Sequence, residues 1–267
     1  MRLRTLPLAL MVATCAFFGF TAGPAQADGV SPPGANDWTC KPSAAHPYPV
    51  VLVHGTFEDM AKNWSILSPQ IKDAGYCVFA LDYGNQATAH IADSARELDT
   101  FVDSVLGATG AKKVDLVGHS QGGMMPRYYL DFLGGATKVD ELVGIVPSNH
   151  GTTNPLTIPT GFAGCDACTD QMAGSPFLTH LNAKGDTVAG PDYTVITTKH
   201  DEVVTPYTSA FLSGPAKQVT NVTLQDRCPL DAFEHDQSPN DPVVAQWVLN
   251  ALGRSGPADP AFVPRCV

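Results

Sequence analysis

Val114-Asp115-Leu116-Val117 runs straight into Gly118-His119-Ser120-Gln121-Gly122-Gly123, and the segment that follows, Met124 to Leu133, reads as a helix. An apolar strand, a Gly-x-Ser-x-Gly turn and a helix in direct succession specify a sharp strand-to-helix elbow. The glycines two before and two after the serine fit that turn, because strand and helix approach too closely there for side chains. The turn lifts the Ser120 hydroxyl out of the sheet and aims the Gln121 N–H at the same space. The start of the helix favours negative charge at that point. Gly-x-Ser-x-Gly alone is a common string, and a glycine-rich connector with a structural serine has the same letters. Its place between strand and helix gives it meaning. Pro126 is expected in the first turn of the helix.

Working outward, Pro49 to Val53 is a short apolar run ending in His54-Gly55, a buried strand and a turn. A helix is expected from about Met60 to Lys72, with Trp64, Ile66, Leu67 and Ile71 as its apolar face. Cys77 to Leu81 reads as a second strand, and Ala89 to Leu106 as an amphipathic helix. Leu142 to Val146, Tyr193 to Thr198 and Gln218 to Leu224 complete the strands; residues 147–169 read as irregular, and Val243 to Leu252 as a closing helix. Short apolar strands alternating with helices imply an α/β fold, a mostly parallel central sheet with helices on both faces. The chain has 267 residues, 44% of them hydrophobic and 16% charged, which excludes a disordered polymer. Only the N-terminus has a long apolar run, so a multi-pass membrane protein is excluded too.

That run is Leu6 to Phe20, preceded by Arg2 and Arg4 and followed by Gly23-Pro24-Ala25-Gln26-Ala27. It reads as a secretory signal cleaved after Ala27, and its apolar core is shorter than the ~20 residues that span a bilayer. The expected organisation is a leader over residues 1–27 and a single catalytic domain over 28–267, secreted to the extracellular space. The whole chain has a net charge of −10, and losing two arginines with the leader leaves −12. A polyanion of this kind is repelled by nucleic acid, so no nucleic-acid partner is expected. Six cysteines remain outside the leader: Cys40, Cys77, Cys165, Cys168, Cys228 and Cys266. An even number in an exported chain implies disulfides, with Cys40–Cys77, Cys165–Cys168 and Cys228–Cys266 as the expected pairs. Cys165-Asp166-Ala167-Cys168 could be a redox motif, but such motifs open a helix and this one reads as part of a Gly/Pro-rich loop; it is a weak candidate for zinc, since no second Cys-x-x-Cys or paired histidine follows it. No metal and no cofactor is expected.

A serine hydroxyl needs a base to act as a nucleophile. In elbow-bearing folds the acid and then the histidine follow the serine along the chain. His150 follows too soon, His180 lies in an expected helix, and His200 adjoins the best acid candidate. His235 remains, in a loop after the last strand and before the last helix. The acid is expected just past a strand end, at Asp201 in Lys199-His200-Asp201-Glu202-Val203-Val204, with Glu202 and then Asp226 as alternatives. Its carboxylate would accept the Nδ1 proton of His235 and stabilise the imidazolium. The Gln121 and Thr56 amides are the candidate oxyanion donors, with the Thr56 hydroxyl as a third. His54 is expected to brace this loop. An apolar acyl pocket is expected from Phe57, Met124, Val203 and Phe233, with Met125, Ile158, Phe162 and Val204 nearby. Residues 152–176 read either as a mobile flap or as a static loop braced by Cys165 and Cys168.

Val51 to Thr56, Gly118 to Gly123, Pro147-Ser148-Asn149-His150-Gly151-Thr152, Lys199 to Val204 and Glu234-His235 together resemble the class 2 secreted bacterial lipases of the α/β-hydrolase superfamily. The likeness covers roughly residues 49–250. It implies Ser120, Asp201 and His235 as a catalytic triad, and Thr56 and Gln121 as oxyanion amides. The expected activity is hydrolysis of carboxylic esters, triacylglycerols above all, by a monomer without cofactors that meets lipid or other ester substrates, at a lipid–water interface where these aggregate. Two alternatives stay open: an acyltransferase or polyester depolymerase with the same triad, and a non-catalytic binding protein.

Overall fold

Apolar and β-branched residues make the strands, and their alternation makes two cores. In the computed structural model, which describes residues 29–154 and 164–266, the leader expected over residues 1–27 lies outside the described residues. Six strands are described: β1 (Val50–Val53), β2 (Val78–Leu81), β3 (Val114–His119), β4 (Val139–Ile145), β5 (Asp192–Thr197) and β6 (Val219–Thr223). They form one sheet in the order β2-β1-β3-β4-β5-β6, and every neighbouring pair is parallel. The helical segments are α1 (Met60–Asn63), α2 (Leu67–Asp73), α3 (Gly84–Ala87), α4 (Ile91–Thr109), α5 (Gln121–Phe132), α6 (Asp166–Asp170), α7 (Pro176–Leu181) and α8 (Pro242–Leu252). The expected α/β architecture, a parallel sheet with helices on both faces, is the one observed.

The faces separate by residue parity. Val51 and Val53 of β1 pack with Leu98 and Val102 of α4 and Met124 and Leu130 of α5. Val50 and Leu52 pack on the other face with Trp64, Leu67 and Ile71 around α2 and Val244 and Trp247 of α8. Strands buried on both sides lose their polar alternation, which is why they read as plain apolar runs. Because all strands are parallel, their C-terminal ends share one edge. Gly55, Ser120 and the segments after β5 and β6 therefore gather along that edge.

Two local expectations need correction. The helix read from Met60 to Lys72 is two helices, α1 and α2, because Pro69 sits in the first turn of α2. A continuous helix would place the Pro69 ring against the Ser65 carbonyl and lose a hydrogen bond. Asp59 caps α1, its Oδ1 accepting from the Lys62 N–H at 2.8 Å. Pro126 lies inside α5 rather than in its first turn, since the helix starts directly after Ser120. Its missing N–H leaves the Gly122 carbonyl without that helical donor, and this carbonyl packs on Gly118, where an added Cβ would meet it at 1.8 Å. The segment read as irregular also contains the start of α6.

Three disulfides join Cys40–Cys77, Cys165–Cys168 and Cys228–Cys266, the pairs expected from the sequence. Among the described residues no helix is long and apolar enough to cross a membrane.

Candidate active site

Ser120 caps α5 with φ +54° and ψ −122°, a strained conformation for a residue with a side chain. The strain is sustained by close packing. A Cβ on Gly122 would lie 2.1 Å from the Val53 carbonyl, so only glycine lets α5 seat against β1. The Ser120 N–H donates to the Ile145 carbonyl at 2.9 Å, tying the turn to β4.

Three side chains from distant segments meet here. The Ser120 hydroxyl lies 2.9 Å from His235 Nε2. His235 Nδ1 lies 3.0 Å from both Asp201 carboxylate oxygens. Asp201 Oδ1 also accepts from the Val203 and Val204 amides at 3.0 and 2.7 Å. Both ring nitrogens of His235 are thereby assigned: Nδ1–H donates to the carboxylate, and Nε2 is left to accept from the serine. All three residues are buried. Of the alternative acids, Glu202 is exposed and Asp226 pairs with Lys199 at 2.8 Å.

A second imidazole supports the arrangement. His119 Nε2 lies 3.1 Å from the His235 carbonyl, and its Nδ1 lies 3.0 Å from Asn63 Oδ1. Asn63 Oδ1 also accepts from the Gly55 N–H at 2.9 Å. Burial, with the neighbouring His235 ring second, holds the His119 pKa well below the usual histidine range. The ring thus bridges the end of α1 and the His235 loop, with one oxygen against each of its nitrogens. His54 braces the same loop: its Nδ1 lies 2.8 Å from the Gly55 carbonyl, and its ring stacks on Tyr83.

The Thr56 and Gln121 amides donate to no acceptor among the described residues and lie beside Ser120, one in the loop after β1 and the other at the start of α5. The Thr56 hydroxyl is already engaged, donating to Gln121 Oε1 at 2.7 Å, and this corrects its expectation as a third oxyanion donor. Gln171, which belongs to none of the motifs read from the sequence, closes this cluster. Its Nε2 lies 2.9 Å from Thr56 Oγ1 and 3.0 Å from Gln121 Oε1.

A cleft of about 260 Å³ opens over Ser120 and His235, lined also by Thr56, Phe57, Cys168, Gln171 and Val203. Phe57 and Val203 thus sit where an acyl pocket was expected. Met124 does not: it is wholly buried in the core beneath the elbow, because its turn of α5 faces the sheet. Phe233 lines a neighbouring depression of about 370 Å³, together with the exposed Leu230. Ile158 and Phe162 lie outside the described residues, as do residues 155–163 of the expected flap. Among the described residues no three His, Cys, Asp or Glu side chains converge as metal ligands.

Comparison with known proteins agrees with this architecture. A family model described as Lipase (class 2) matches residues 47–248. Triacylglycerol lipases of Pseudarthrobacter phenanthrenivorans and Burkholderia plantarii are each 37% identical to this chain over 91 residues, 32% of its length. The match spans only 28% and 25% of those two relatives. Among solved structures, Aspergillus fumigatus lipase B superposes with a TM-score of 0.75 at 20% identity, covering 93% of this chain and 64% of that one. Bacillus licheniformis lipase BlEst2 in its mature form gives 0.57 at 17% identity, covering 74% and 88%. At such identities the structural likeness speaks for the fold, that of the α/β-hydrolases. By the match over residues 47–248, the chain belongs to the class 2 lipase family.

Proposed function

We propose that the protein is a secreted serine carboxylic-ester hydrolase, a triacylglycerol lipase or lipase-like esterase, working as one catalytic domain over residues 28–267. The observation that carries this reading is the hydrogen-bonded chain from Ser120 through His235 to Asp201, at 2.9 and 3.0 Å, beside two unengaged amides. Family membership and the apolar flank of the cleft support an ester of a fatty acid as substrate. Three disulfides support export, since such bonds persist in oxidising compartments.

Ser120 Oγ attacks the ester carbonyl carbon while His235 Nε2 takes the hydroxyl proton. Asp201 holds the imidazole in the required tautomer and stabilises the imidazolium without itself taking a proton. The carbonyl oxygen becomes an oxyanion held by the Thr56 and Gln121 N–H groups, each such donor worth about 3 kcal/mol of barrier. As the tetrahedral intermediate collapses, the ester C–O bond breaks and His235 returns its proton to the departing alcohol. Water then attacks the acyl-enzyme, giving its proton to His235, and Ser120 is released with the carboxylic acid.

The test is Ser120→Ala assayed on p-nitrophenyl esters. The expected outcome is a folded variant with turnover reduced by at least about 10⁴-fold. Turnover equal to the wild type in a folded variant contradicts the reading.

A further inference from the structure

We propose that Gln171 is a positioning residue that sets the separation of the Thr56 and Gln121 oxyanion amides, and that the Cys165–Cys168 turn is the frame that holds it. The inference rests on the ester-hydrolase reading above.

Gln171 follows α6 directly and is 1% exposed, with its carboxamide turned toward the cleft. Nε2 reaches three acceptors: Thr56 Oγ1, Gln121 Oε1 and the Ala167 carbonyl, the last at 3.2 Å. A carbonyl can only accept, so the Ala167 contact assigns the nitrogen to that side. The opposite atom, Oε1, accepts from the Ser148 hydroxyl at 2.8 Å. One side chain therefore joins the loop after β1, the nucleophile helix and the turn after β4.

Thr56 and Gln121 are 65 residues apart in sequence, and their amides must converge on one developing oxygen. A misplacement of about 1 Å in such a site can cost roughly a hundredfold in rate. The Thr56 loop is itself strained. Phe57 has φ +63°, and its N–H is held by the Gln86 carbonyl at 2.8 Å. Such a conformation persists only where neighbours over-determine it. Gln121 bears a further sign of constraint. Among the described residues its Nε2 is buried without a partner while its Oε1 takes two donors, so the side chain is oriented for the cluster and not for its own satisfaction.

The frame is local. Helix α6 has five residues, too few to hold its shape alone. The Cys165–Cys168 bond closes its first turn over a separation of 3, against 37 and 38 for the other two bonds. A ring that small removes little chain entropy, so its contribution lies in fixing the turn. From that turn the Ala167 N–H donates to the Thr88 carbonyl at 3.1 Å, and the Gln171 carbonyl accepts from the Thr152 N–H at 3.1 Å. Gln171 is gripped through both its backbone and its side chain.

A group that tunes oxyanion donors acts on the transition state more than on the bound ester, so it moves kcat and leaves KM. The experiment compares wild type, Gln171→Ala, the volume-keeping Gln171→Met and the double variant Cys165→Ala/Cys168→Ala. It measures kcat and KM on p-nitrophenyl butyrate, the Ki of a trifluoromethyl ketone that forms a tetrahedral oxyanion adduct, and Tm. Both Gln171 variants are expected to lose ten- to hundredfold in kcat, with KM within threefold, Ki rising by a matching factor and Tm within a few degrees. The double variant is expected to shift kcat and Ki in the same direction by a smaller factor. A folded Gln171→Met with kcat and Ki within twofold of wild type overturns the proposal. So does a loss that follows KM or Tm alone, or failure of both Gln171 variants to fold. If the wild type shows no ester hydrolysis that Ser120→Ala removes, the functional reading has failed first and the inference falls with it.

Discussion

Asp201 shows how much one atom assignment carries. Its Oδ1 accepts two backbone amides as well as the His235 contact, whereas among the described residues Oδ2 faces His235 alone. In Asp201→Asn the carbonyl oxygen would stay on the amides of Val203 and Val204, leaving the NH2 group against His235 Nδ1. The imidazole would then take its proton on Nε2 and could no longer accept from Ser120. The expected result is a kcat lower by about 10⁴-fold with the fold intact, measurable by steady-state kinetics alongside circular dichroism. Ser120, His235 and Asp201 are legible in the sequence because a strained turn needs flanking glycines and because the order of the partners along the chain is constrained. Gln171 is not legible, since its partners Thr56 and Gln121 lie 115 and 50 residues away and no local pattern marks it. Met124 misleads for a related reason: nearness to Ser120 in sequence does not say which face of α5 a side chain takes.

Among the elements, the β3–turn–α5 unit decides whether the rest can form. An added Cβ at Gly118 would meet the Gly122 carbonyl at 1.8 Å, a contact with backbone that no rotamer change relieves. Gly118→Ala is therefore expected to destabilise by about 3 kcal/mol or more, seen as a lower urea midpoint, or to abolish folding. A midpoint unchanged from wild type contradicts this packing. The strands are readable because burial on both faces leaves continuous apolar runs, and α4 is readable because its apolar residues recur at helical spacing. The break between α1 and α2 was hidden by apolar residues that continue through it at Trp64, Ile66 and Leu67. Pro69 was the local signal for that break.

Across the whole molecule, the two edges of the sheet have different electrostatics. Opposite the cleft, Asp115 of β3 and Glu141 of β4 are both buried. Burial pushes the Glu141 carboxyl up to about 8, although the Thr194 hydroxyl donates to it at 2.7 Å. Burial, and then the nearby Glu141, raise Asp115 well above its ordinary range. Groups with folded pKa values above their unfolded ones hold protons that unfolding releases. Their contribution is complete below the ordinary carboxyl range and is lost as pH rises through about 8. Above pH 7, where the depressed His119 no longer contributes a slope of the opposite sign, the urea midpoint is expected to fall up to pH 8.5, and Glu141→Gln to flatten that fall; a midpoint that rises between pH 7 and 8.5 contradicts the assignment. Strand order, by contrast, could not be read from the sequence, because parallel neighbours come from segments far apart and only the assembled sheet shows that β1 lies between β2 and β3. That assembly underlies the central claim, that Ser120 is a nucleophile made reactive by His235. The most direct measurement is intact-protein and peptide mass spectrometry after reaction with a fluorophosphonate. The account predicts one adduct per chain, located on Ser120, and strongly slowed labelling in His235→Ala. Undiminished labelling of Ser120→Ala, or no adduct on folded wild type, contradicts it.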